Sequence, residues 1–134
     1  MDQFKEERFV QQFIRKNRRD RLLYELTSRK KRYEGLSRFC HQAEDFLDTR
    51  LIVMQGEDLE RQNDFQKFIR KHDQQCYILS PDPDLNEAAL PLETAVIRAA
   101  MNTDAVVIIG DSFAIVYTEA MKTRGKYLLV NEVK

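Results

Sequence analysis

Six carboxylates, Glu57, Asp58, Asp82, Asp84, Asp111 and Glu119, stand where short apolar runs of the chain stop. Ligands bind open α/β sheets at the ends of strands, and carboxylates there can carry protons or hold a magnesium ion. The same positions also suit helix caps and turns. Glu57, Asp82, Asp111 and Glu119 are therefore the catalytic candidates, with Glu119 first among them if the stretch before it is a strand beside the central one. Two histidines, His41 and His72, each adjoin an apolar face without a Cys, Asp or Ser at catalytic spacing. Cys40 precedes His41, but neighbouring helical residues point about 100° apart, so the two do not make a dyad.

Cys40 and Cys76 lie 36 positions apart and form no Cys-x-x-Cys pair, which reads as two buried free thiols rather than a disulfide framework or a zinc site. There are four glycines and they are not clustered, so no phosphate-cradling loop is expected. No metal and no cofactor is expected.

The densest charge pattern is basic. Arg15, Lys16, Arg18, Arg19, Arg21, Arg29, Lys30, Lys31, Arg32 and Arg38 face only Asp20, Glu25 and Glu34 between Arg15 and Phe39, a local excess of seven positive charges. Such a patch attracts phosphates or an acidic protein surface, and Tyr24, Tyr33 and Phe39 within it could stack on bases. The alternative is a solvated helical face whose aromatics belong to the core.

These groups must be positioned by elements of two kinds. Phe9, Val10, Phe13 and Ile14 recur at helical spacing in a first helix, which breaks near Asn17. A second helix carries Leu22, Leu23 and Leu26. Thr27-Ser28 can cap a third through Leu36, Phe39, Cys40, Ala43, Phe46 and Leu47, where Gly35 weakens the helix or marks a close crossing. Thereafter the pattern turns extended, with strands near 51–55, 76–79, 105–109, 113–118 and 126–130. Helices through Leu59, Phe65, Phe68 and Ile69, where Asp58 can cap, and through Leu92, Ala95, Val96 and Ala99 lie between them. The run Ala105–Ile109 reads as a central strand buried on both faces. Strand, helix, strand in succession implies parallel pairing, so the expected fold is α/β, with α+β the neighbouring class and a sheet that is partly parallel.

Gly110-Asp111-Ser112 after an apolar strand resembles the nucleophile block of esterases whose first strand ends in Gly-Asp-Ser. Such an enzyme needs a base to take the serine proton, and no histidine follows His72. The three residues are better read as the turn of a hairpin into 113–118. The rival is a helix from Ser112 through Phe113, Val116, Tyr117, Ala120 and Met121, capped at Gly125.

The length of 134 residues fits one domain, 1–134, with a helical subdomain over 1–49 and an α/β portion over 50–134. Charged residues make up 33% and the net charge is zero, so the molecule as a whole has no bias toward nucleic acid or acidic membranes. The sign is uneven, however: residues 1–50 carry an excess of four positive charges and the remainder the matching negative excess. No run approaches eighteen apolar residues and the start has no apolar leader, so a soluble, cytoplasmic protein with no membrane partner is expected. The stripe at Phe9, Val10, Phe13 and Ile14 can pack on its own domain or on a second copy, which leaves a homodimer or other homo-oligomer open. The sequence favours a non-enzymatic partner-binding or regulatory domain docking through its basic helical surface. The alternatives are a small enzyme or ligand binder using the acidic strand-end loops, and nucleic-acid binding through residues 15–39.

Overall fold

The fold is given by a computed structural model, which describes residues 2–119 and 124–131. Four helices come first: α1 (Gln3–Phe13), α2 (Lys16–Thr27), α3 (Arg32–His41) and α4 (Ala43–Phe46). The second half combines strands with two further helices: β1 (Ile52–Gln55), α5 (Asn63–Lys71), β2 (Gln75–Leu79), β3 (Ala89–Pro91), α6 (Leu92–Met101), β4 (Val106–Ile109), β5 (Phe113–Tyr117) and β6 (Lys126–Val130). Single 3-10 turns precede β1 and α5, at Thr49–Leu51 and Leu59–Arg61.

Among the described residues six strands form one sheet in the order β1-β6-β5-β4-β2-β3, and every neighbouring pair is antiparallel. This corrects the expected partly parallel pairing. The cause is a single short strand. After the loop 80–88, β3 runs back along β2 with Pro91 opposite Gln75, so α6 starts at the end of the sheet where β2 began. The helix then returns the chain to the far end, and β4 enters antiparallel to β2. β1 and β2 do run in the same direction, with α5 between them in sequence, but β6, β5 and β4 lie between them in the sheet. The fold is thus mixed α and β with an antiparallel sheet.

Side-chain alternation divides the core into two. Ile78, Ile108, Ile115 and Leu128 form one cross-strand row and pack under α5 and α6 with Leu92, Ala95, Phe65 and Phe113. The next row, Leu79, Val107, Val116 and Tyr127, faces the opposite side with Phe9, Phe13, Leu26 and Phe39 of the N-terminal helices. The sheet is therefore covered on both faces, as the apolar run Val106–Ile109 requires, and all four of its residues are buried. The stripe at Phe9, Val10, Phe13 and Ile14 is at most 1% exposed within this core, so it is not available to a second copy.

Local boundaries follow capping and packing more than propensity. The first break falls at Ile14-Arg15, two residues before Asn17. Ser28 ends α2 rather than starting α3, and Gln42 divides the expected third helix into α3 and α4. Asp58 stands at the N-cap of the 3-10 turn Leu59–Arg61 rather than of α5, whose N-cap is Gln62, and its carboxylate accepts from Gln62 Nε2 at 3.1 Å instead of capping a backbone N–H. Gly35 marks a close crossing: a Cβ there would stand 2.6 Å from Glu25 Cβ, so α3 approaches α2 only because this position has no side chain. Asp111 and Ser112 form the tip of a hairpin closed by Gly110 N–H donating to Phe113 O at 2.9 Å, which decides between the two readings of 113–118 in favour of a strand. Residues 120–123, part of the rival helix, lie outside the described residues.

Candidate docking surface

The four candidate carboxylates do not meet. Glu57 follows β1, Glu119 follows β5 and Asp82 follows β2, all at one end of the sheet. Adjacent strands are about 4.8 Å apart, so β1 and β2, which lead into Glu57 and Asp82, are roughly 19 Å apart across the sheet, with β5, which leads into Glu119, midway between them. Asp111 is at the opposite end, on the β4–β5 hairpin, 3.5 Å from Arg8 Nη2. Three of the four carboxylates have a partner within the fold, and Glu57 is engaged through its backbone. Asp82 accepts from Asn102 Nδ2 at 2.7 Å and from Asp84 N–H at 2.9 Å, and these two bonds hold its carboxyl below the ordinary range. Glu119 pairs with His41 Nδ1 at 3.2 Å. Glu57 contributes its backbone oxygen to Lys126 Nζ at 2.9 Å.

The remaining chemistry-bearing groups are also accounted for. The tautomer of His72 with its proton on Nδ1 donates to Phe68 O, 3.0 Å away, and the ring stacks on that of Phe68. Cys40 and Cys76 are free and buried on opposite faces of the sheet, and burial pushes both thiols up to about 12. Among the described residues no three His, Cys, Asp or Glu side chains are grouped to hold a metal ion.

The ten basic residues fall into two sets. Arg32 is anchored deeply: its Nη1 and Nη2 donate to the two oxygens of Glu6 at 2.6 Å each, and Nη1 also reaches Leu26 O at 2.8 Å. Tyr77 donates its hydroxyl to the same Glu6 at 2.5 Å, and burial together with that carboxylate raises the phenol so that it stays a donor. Arg38 Nη1 holds both oxygens of Glu25 at 2.6 and 2.7 Å. Arg15 donates to Leu47 O and Glu44 O at 2.8 and 3.0 Å, and Arg19 to Ile14 O at 2.8 Å. Those two tie α2 to the backbone around it. Arg18 lies 5.1 Å over the Phe46 ring, and Arg21 is 3.6 Å from Glu25.

Lys16, Arg29, Lys30 and Lys31 form the second set. All four are exposed, and among the described residues none has a side-chain partner. Three of them are consecutive at the connection between α2 and α3, where Lys31 is the N-cap of α3 and provides no side-chain cap. Tyr24 and Tyr33 flank that connection with 63% and 67% of their surface exposed, so these rings are not core residues. Phe39, the third aromatic of the basic segment, is 2% exposed and packs edge-on against Phe9 and Phe46.

Sequence reasoning missed the carboxylates that make this division. Glu6 and Glu25 are 2% and 4% exposed. A signal was available: Glu6 continues the stripe Phe9, Val10, Phe13 at i−3, i−4 and i−7, and Glu25 sits three residues after Leu22. A carboxylate on a core stripe demands a buried cation, and each here has an arginine of α3.

Among the described residues no helix is long and apolar enough to cross a membrane. Compared with known proteins, the chain matches no family model, and no curated protein or solved structure is significantly similar to it.

Proposed function

We propose that this chain is a non-enzymatic cytoplasmic docking domain that binds an acidic protein surface through the α2–α3 connection. The observation that carries this reading is the separation of the basic residues. Arg15, Arg19, Arg32 and Arg38 are engaged by carbonyls and buried carboxylates, whereas Arg29, Lys30 and Lys31 stand together, exposed and without side-chain partners among the described residues. Exposed tyrosines can anchor a partner and the neighbouring cations can steer and orient an acidic one. The docking surface is thus narrower than the whole segment 15–39.

Nucleic-acid binding is the second reading, favoured by the exposed rings of Tyr24 and Tyr33 near those cations. An enzyme built on the strand-end loops draws no support from the placement of Glu57, Asp82, Asp111 and Glu119. The two binding readings are separated by titrating the protein with polyglutamate and with a single-stranded oligonucleotide across a salt series. The docking reading expects polyglutamate to bind and the oligonucleotide to bind no more tightly at equal salt. An oligonucleotide preference, with log K falling by about 0.7 per phosphate contacted against log salt and a salt-insensitive stacking remainder, would replace it with the nucleic-acid reading.

A further inference from the structure

Arg29, the first of the three consecutive exposed cations, lines a preformed cleft. It has a volume of about 490 Å³ and lies between the α2–α3 connection and the loop 80–88, with Arg29, Tyr33 and Leu36 on one wall and Pro81, Pro83 and Glu87 on the other. The loop wall is held by its own polar groups. Ser80 Oγ donates to Ala105 O at 2.7 Å, Ser80 N–H donates to Asn86 Oδ1 at 3.2 Å, and Asp82 is fixed by Asn102. Glu87, at φ +67°, donates its N–H to Ile78 O at 2.7 Å, while Ala88 O accepts from Ile78 N–H, so a bulge sets two loop residues against one. The helical wall is fixed as well, because Arg32 is clamped by Glu6. A cleft with both walls held in place loses little conformational freedom on binding.

We infer that this cleft takes one apolar side chain of an extended acidic segment of the partner protein, with the neighbouring carboxylates of that segment on Arg29, Lys30 and Lys31. The inference rests on the docking reading and adds to it the kind of segment recognised. The argument is one of complementarity. Arg29 lines the cleft and Lys30 and Lys31 follow it directly in the chain, three consecutive exposed cations that have no side-chain partner among the described residues and that select a run of acidic residues. Between the walls, the exposed Tyr33 ring and two prolines offer apolar surface, and the polar side chains deeper in the lining are already engaged, Arg32 with Glu6 and Glu87, Ser80 with Ala105 O, and Asn86 with Ser80 N–H and Glu87. An all-acidic segment would satisfy the rim and leave the apolar surface wet, whereas one leucine or phenylalanine among the acids would satisfy both. Tyr33 forms part of that wall from the helix side, at a position where its removal disturbs no core contact.

Two fluorescent ten-residue peptides of glutamate and serine, one with a central leucine and one with serine in its place, test this by anisotropy at low salt on the full chain. The leucine peptide is expected to bind about tenfold more tightly, the effect of one partly buried leucine. That advantage should disappear in Tyr33→Ala, while Lys30→Gln with Lys31→Gln should weaken both peptides equally and leave the ratio intact. Equal affinity of the two peptides for the parent protein, with both weakened by the lysine changes, would overturn the cleft and leave the docking surface standing. A leucine advantage that survives in Tyr33→Ala would place the apolar contact elsewhere and also overturn it. If neither peptide binds at low salt, the docking reading falls and the inference falls with it.

Discussion

Glu6 has one side chain on each side of it that explains why it can be buried: the guanidinium of Arg32 from α3 and the hydroxyl of Tyr77 from β2. The pair links the helical layer to the sheet. Removing Glu6 takes from the mostly buried Arg32 its bidentate partner and leaves Glu87 at 3.8 Å as its remaining carboxylate among the described residues, so Glu6→Ala should lose about 3 kcal/mol in urea unfolding. Glu25→Ala should lose less, because Arg38 keeps about a third of its side-chain surface exposed and can rehydrate. Equal losses at the two positions would contradict the difference in burial. The basic residues were visible in the sequence as a cluster, but their division was not. A guanidinium that caps a backbone carbonyl, as Arg15 and Arg19 do, leaves no trace in composition or spacing.

At the scale of elements, strands were legible wherever β-branched runs were closed by turn residues, which is why 105–109 and 113–118 found their counterparts in β4 and β5. What failed was direction. β3 is three residues long, ends in Pro91 and runs directly into α6, so its sequence reads as a helix start. Overlooking it reverses the sense of every later strand relative to β2. The central position of β4 does not depend on that error. Ile108 is fully buried, with Ile78 and Ile115 opposite it, so Ile108→Ala should cost about 2 to 5 kcal/mol. A loss well under 1 kcal/mol would show that the site collapses or that the strand is not interior.

For the whole molecule, the acid side of the stability profile has a named contributor. Burial opposes ionisation of Glu60, but hydrogen bonds from Lys126 Nζ at 2.9 and 3.1 Å and from Tyr117 at 3.0 Å outweigh it and hold the carboxyl below its ordinary range. A carboxylate depressed in the folded state stabilises the fold above its unfolded value of about 4.3, and that contribution is lost as pH falls through the folded value. Denaturation measured from pH 7 down to pH 2.5 should therefore show a loss that begins below about pH 5 and is shallower in Glu60→Gln. An unchanged acid limb in that variant would assign the loss to other carboxylates.

The central claim for the molecule is that binding and folding use different basic residues. It is tested most directly by measuring polyglutamate affinity and thermal unfolding side by side for two variants, Arg29→Glu with Lys30→Glu and Lys31→Glu, and Arg38→Gln. The triple reversal should bind at least tenfold more weakly while melting within a few degrees of the parent chain, since exposed substitutions without partners change stability little. Arg38→Gln should lower the melting temperature by removing the partner of buried Glu25, and the affinity of the protein that remains folded should stay within about twofold. Undiminished binding by the triple reversal, with its melting temperature intact, would contradict the account.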